Sequence, residues 1–200
     1  MNWYQLLKNV KGKNIYMFIG NGSKNQFKTL LETEQKLKQV LKSIPKNAVL
    51  LYFGDGANRK KPDVGYLFQK THQLRPDIKI FMIQIKHAQN WGVPSFVTDV
   101  YWHNDYTKKQ MWGGINKNKE AVSNTKKWVN LHKKHPIEKI FVFGGGPITL
   151  DEIKLANKEN IPVQLIKIKR RYKGDGKTLI KPNDTNQEKY GITYKLIKKK

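Results

Sequence analysis

The stretch KIFVFGGGPITLDEI, Lys139 to Ile153, decides how the rest of the chain is read. Its apolar residues run without alternation into three glycines, and Thr149, Asp151 and Glu152 then open what reads as a helix. A strand with no polar alternation is covered on both faces, which is the condition of a parallel sheet joined by helical crossovers. The same pattern recurs upstream. NIYMFIG (Asn14–Gly20) stops at GNGS, AVLLYFGDG (Ala48–Gly56) stops at glycines, and IKIFMIQI (Ile78–Ile85) is a third apolar run. SFVTDVYW and PVQLIKIK complete the predicted strands.

Helical spacing fills the intervals. Phe27, Leu30, Leu31, Leu37, Val40, Leu41 and Ile44 recur at three- and four-residue steps until Pro45 ends the pattern. A shorter helix is predicted over GYLFQKTHQL, another over KNKEAVSNTKKWVNLHKKH ahead of Pro136, and one over TLDEIKLANKEN. Alternating strands and helices predict an α/β fold: a Rossmann-like, doubly wound, mostly parallel sheet with flanking helices and a basic C-terminal extension. The expected division is a nucleotide-binding domain over residues 1–170 and a basic hairpin or tail over 171–200, with GITYKLI available as an added edge strand.

Composition narrows the partners. The chain has 200 residues, is 38% hydrophobic, and so has enough apolar material for a core. It has no cysteine, which excludes disulfides, thiolate metal sites and a cysteine nucleophile. Lys and Arg number 39 against 15 acids, a formal +24, so polyanions are attracted. Only Arg59, Arg75, Arg170 and Arg171 among these are arginines. The abundance of Lys, Asn and Ile also follows from A/T-rich codons, so the total charge does not by itself specify binding. The N-terminal residues are read as carrying no signal peptide, and no apolar run approaches the length of a membrane span. The expectation is a cytoplasmic protein, or one of the host-cell cytoplasm if its source is viral, without membrane association.

In such folds ligands lie beyond the carboxyl ends of the strands. Three loops are expected there: Gly20, Asn21, Gly22 and Ser23; Gly54, Asp55 and Gly56; and Gly144, Gly145 and Gly146 with Thr149 after them. Glycine admits a ligand to the backbone, and a following helix N-terminus offers N–H groups to phosphate. Arg59, with Lys60 and Lys61 behind it, would neutralise phosphate charge. GNGSKN lacks the third glycine of the dinucleotide fingerprint, and no GxxxxGK[ST] is present. Neither an NAD dehydrogenase nor a P-loop NTPase is therefore indicated.

GGGPITLDE resembles the PGGxGTxxE signature of the LOG-type, lysine-decarboxylase-like phosphoribohydrolases, within the SLOG superfamily of Rossmann-like nucleotide binders that includes the DprA proteins. Gly145 and Gly146 match the glycine pair, Thr149 the threonine and Glu152 the glutamate. Gly144 stands for the leading proline and Ile148 for the later glycine. The resemblance implies a nucleotide or nucleotide-sugar ligand, no bound cofactor, and Glu152 as catalytic residue if the chain is a glycosidic hydrolase. The family's catalytic arginine has no counterpart, since no arginine stands between Arg75 and Arg170. The expected function is a sensor, a sequestering protein or a weak N-glycosidic hydrolase, with room for a homo-oligomer. The alternative is a DNA- or RNA-binding protein using its Lys-rich surface.

Five histidines show no metal-ligand spacing, and no metal is predicted. DVYWHND, with Asp99, His103 and Asp105, reads as a surface loop. Trp128 reads as a packing residue. Trp91, Trp102 and Trp112, set among lysines and asparagines, suit either base stacking or packing at an interface.

Overall fold

The computed structural model describes residues 1–20, 25–27, 30–54, 63–107, 111–145, 147–168 and 170–173. Along the chain it has α1 (Trp3–Val10), β1 (Ile15–Gly20), β2 (Asn25–Phe27), α2 (Leu30–Leu41), β3 (Val49–Tyr52), α3 (Val64–Leu74) and β4 (Lys79–Ile85). A 3₁₀ turn (Lys86–Trp91) follows, then β5 (Asp99–His103), α4 (Ser123–His132), β6 (Ile137–Phe143), α5 (Pro147–Lys158), β7 (Val163–Ile166) and β8 (Arg170–Lys173).

The apolar runs form a six-stranded, all-parallel sheet in the order β5-β4-β3-β1-β6-β7. Successive side chains of a strand reach opposite faces, so an unbroken apolar run supplies two cores. Met17 and Ile19 of β1, Val49 and Leu51 of β3, and Ile140 and Val142 of β6 pack under α1, α4 and α5. Phe18, Leu50, Tyr52, Phe141 and Phe143, their neighbours in sequence, pack under α2 and α3. The second face is aromatic: Phe18 contacts Phe68, Phe141 and Phe143 with ring centroids 5.3 to 5.9 Å apart. Fully burying one such side chain is worth about 1.5–3 kcal/mol. The architecture is α/β/α and Rossmann-like.

Three helix starts depart from the expected ones. Phe27 does not begin α2; residues 25–27 pair antiparallel with Arg170–Lys173 in a separate two-stranded sheet. That strand straddles the expected boundary at residue 170, and the remainder of the C-terminal segment, from residue 174, lies outside the described residues. The helix expected from Lys117 begins only at Ser123. Gly113 (φ 133°) and Gly114 (φ 90°) turn the chain before it, and Ile115 bridges Ala121. α5 begins at Pro147, where a proline's fixed φ and missing N–H suit a first helical position, rather than near Leu150. DVYWHND is not a surface loop: Asp99–His103 is a sheet strand, and His103 is buried. The helix α1 was not anticipated. Its signal was local: Asn2 accepts from the Gln5 N–H and Gln5 from the Asn2 N–H, both at 2.9 Å, a capping box.

Candidate functional site

Starting from β1, the chain adds β3, β4 and β5 on one side, then returns to place β6 on the other side of β1. The helices that follow, α2 after β1 and α5 after β6, therefore lie on opposite faces of the sheet. A crevice at such a reversal is where doubly wound sheets take their ligands. Gly20 closes β1 and Gly144 follows β6, so the two glycine loops open side by side at one carboxyl edge.

Local sterics require the glycines. Gly20 has φ 152°, and a Cβ there would lie 2.1 Å from the Phe143 carbonyl oxygen. Gly145 has φ 135°, and its Cβ would fall 2.4 Å from the Thr149 methyl. Gly144 has φ 67°. Thr149 lies in the first turn of α5, and its hydroxyl donates to the Gly20 carbonyl at 3.3 Å, tying one loop to the other across 129 residues of chain. The first turn of α5 holds no acid, and its second residue, Ile148, is exposed. The positive end of the helix therefore has no acid in its first turn, and Asp151 stands in the next.

Gly54 ends the run of β3, on the side of β1 away from β6. Its missing side chain makes room for the Tyr52 ring, whose hydroxyl would lie 2.2 Å from a Cβ. Asn21, Gly22, Ser23, Asp55, Gly56, Arg59 and Gly146, all singled out in the sequence, lie outside the described residues.

Glu152, expected to face a ribose, is turned inward. It is buried, and its Oε1 accepts from the Thr125 hydroxyl at 3.3 Å. The Thr125 oxygen in turn accepts from the Gly114 N–H at 2.8 Å. Burial pushes the Glu152 carboxyl up to about 7, although the Thr125 and Trp128 donors favour its charged form. The Trp128 indole N–H falls outside hydrogen-bond geometry. It is the buried side-chain donor left without a partner among the described residues. Asp151, beside it, is half-buried and lies 3.8 Å from Lys154.

A second buried polar chain crosses the same edge, and its proton positions can be assigned from three backbone groups. The Ile85 N–H donates to Gln84 Oε1 at 2.8 Å, which leaves Gln84 Nε2 to donate to the Gly54 carbonyl at 2.7 Å. Asn124 Nδ2 donates to the same Gln84 Oε1 at 2.9 Å, so Asn124 Oδ1 faces His103 Nε2 at 2.8 Å as an acceptor. The Asp105 N–H donates to His103 Nδ1 at 3.2 Å. His103 is therefore the neutral tautomer protonated on Nε2. Burial lowers its basicity, and the Asn124 bond only partly opposes this. Burial alone would raise the Asp105 carboxyl, but Lys127 at 3.1 Å and Lys126 at 3.3 Å bring it below its ordinary range.

Gln84, Asn124 and Thr125 were not foreseen. Gln84 had a usable signal: one amide inside an otherwise apolar strand must be buried with a partner. Asn124 and Thr125 had none, because they sit in an ordinary polar stretch of α4.

The tryptophans separate. Trp128 is wholly buried, and Trp102 packs partly into the aromatic core. Trp91 and Trp112 remain exposed and lie against each other, ring centroids 5.2 Å apart. No helix among the described residues is long and apolar enough to cross a membrane. No protein-family model matches the chain, and no curated protein matches it. Among solved structures, the Moco carrier protein from Chlamydomonas reinhardtii is similar, with a TM-score of 0.46 and 15% sequence identity over 77% of this chain and 76% of that one.

Proposed function

We propose that this protein binds a nucleotide or nucleotide derivative in the crevice between the carboxyl ends of β1 and β6. The observation that supports this best is the placement of the Gly20 and Gly144 loops on either side of the sheet's point of reversal, joined by the Thr149 hydroxyl. The first-turn N–H groups of α5 take the anionic end of the ligand. The residues matching the SLOG signature, Gly145, Thr149 and Glu152, all fall at this corner, which supports a nucleotide as the ligand class. The +24 charge raises the rate at which any anion arrives.

The reading is one of binding, as a sensor or sequestering protein. Glu152 is buried with its Oε1 on the Thr125 hydroxyl, which supports a positioning role beneath the α5 turn rather than a catalytic one. The discriminating variant is Ile148→Asp. An exposed acid in a first helical turn favours the helix, so the fold is preserved, yet it repels an anion at the same point. Calorimetry with nucleoside monophosphates, ADP-ribose and cyclic nucleotides should find one class that binds the wild type. Ile148→Asp should weaken that binding by about tenfold or more, since ~1.4 kcal/mol is a factor of ten. Equal affinities in the two proteins would refute the site.

A further inference from the structure

Two of the largest apolar side chains stand uncovered at the sheet's carboxyl edge. Trp91, the last residue of the 3₁₀ turn after β4, is 45% exposed; Trp112, in the loop before α4, is 39% exposed. Their planes are 33° from parallel. His87 meets Trp91 edge-on at 6.5 Å and lies 6.4 Å from Tyr106 on another side. Neither indole joins the packed clusters on the two faces of the sheet. A lone exposed apolar residue is ordinary, but two indoles brought together from separate loops and left open mark a binding surface.

Their position selects the occupant. Trp112 is followed by Gly113 and Gly114, and a Cβ on Gly114 would lie 3.4 Å from Asp151 Oδ2 and 4.0 Å from the Ile148 side chain. Trp112 is two Cα steps from Gly114, at most about 7.6 Å. The loop that carries Trp112 therefore lies against the first turns of α5, beside Ile148 and Asp151. A ligand filling both features has an anionic group and, a short distance away, a flat aromatic one. Indole faces accept any base, because stacking uses the π-face and not the hydrogen-bonding edge.

Resting on the nucleotide reading above, we propose that Trp91 and Trp112 form a base-stacking subsite, holding the ring of a mononucleotide whose phosphate lies at α5. AMP and ribose 5-phosphate separate the two ends. Wild-type protein should bind AMP about tenfold more tightly than ribose 5-phosphate, and AMP alone should quench tryptophan fluorescence. Trp112→Ala should remove that advantage and leave ribose 5-phosphate affinity unchanged, whereas Trp112→Phe, which keeps a flat ring, should retain most of it. Equal binding of the two probes by wild type, or full AMP affinity in Trp112→Ala, would overturn the subsite and leave the phosphate site standing. If neither probe binds, and a single-stranded oligonucleotide quenches the indoles in wild type but not in Trp112→Ala, both readings fall.

Discussion

Glu152 makes the stability of the fold depend on pH. Its carboxyl sits at about 7 in the folded protein against 4.5 for an ordinary glutamate. Between those values the native state keeps a proton that the unfolded chain has released. The stabilisation from this group is therefore complete below about pH 4.5 and is lost as pH rises through 7. The full span corresponds to roughly 3 kcal/mol. Glu152→Gln keeps the shape and cannot ionise, so urea denaturation should show wild type losing up to that amount more than the variant between about pH 5 and pH 8. Parallel pH profiles would mean that the carboxyl is solvated. His103 obeys the opposite rule. Held neutral by burial and by the N–H of Asp105, it costs stability only as pH falls below the histidine range. The Gly20 and Gly145 positions were legible as glycine loops, but their physical reason was not. Each is glycine because a carbonyl or a threonine from a neighbouring segment occupies the space of a side chain.

Among the elements, α5 has the proposed site at one end and a defined stop at the other. It opens on Pro147 and ends at Lys158, with Asn160 beyond it in the left-handed region at φ 58°. The Ile161 N–H returns to the Ala156 carbonyl at 2.8 Å, closing the helix as a Schellman motif. Asparagine tolerates that backbone and alanine does not, so Asn160→Ala should lower stability by about 1 kcal/mol, while Asn160→Gly should match or exceed wild type. Thermal unfolding of the three proteins measures this, and equal midpoints for alanine and asparagine would contradict the assignment. The strands were legible from their apolar runs to within a few residues, because continuous hydrophobicity is what two-sided burial demands. The starts of α2 and α4 were not. The expected α2 segment included Phe27, which a strand from the far end of the chain claims instead, and the expected α4 segment included residues shaped by the turn at Gly113 and Gly114.

At the level of the whole molecule, packing accounts for the fold but not for the charge. A formal +24 spread over 200 residues repels itself. That repulsion falls as salt shortens the Debye length from about 30 Å at 0.01 M to about 10 Å at 0.1 M. The melting temperature should therefore rise between about 0.02 M and 0.3 M sodium chloride. A flat or falling midpoint would show that the lysines are neutralised locally. The described ion pairs give little local neutralisation, since several, such as Lys133 with Glu159 at 3.9 Å, are long.

Read alone, the amino-acid sequence carries the class of fold and the kind of place where a ligand would sit. Short unbroken apolar runs that end in turn residues fit strands covered on both faces, and glycines after them mark the edge where helices begin. Which of those loops meet is not written there. Gly20 and Thr149 are joined because β6 returns to the side of β1 opposite β3, whereas Gly54, Gln84, Asn124 and His103 form one chain of hydrogen bonds because β3, β4 and β5 are neighbours and α4 packs against β4. Periodicity records which face of an element is buried. Strand order, set by the direction of each crossover, decides what it is buried against, and no local pattern encodes that choice.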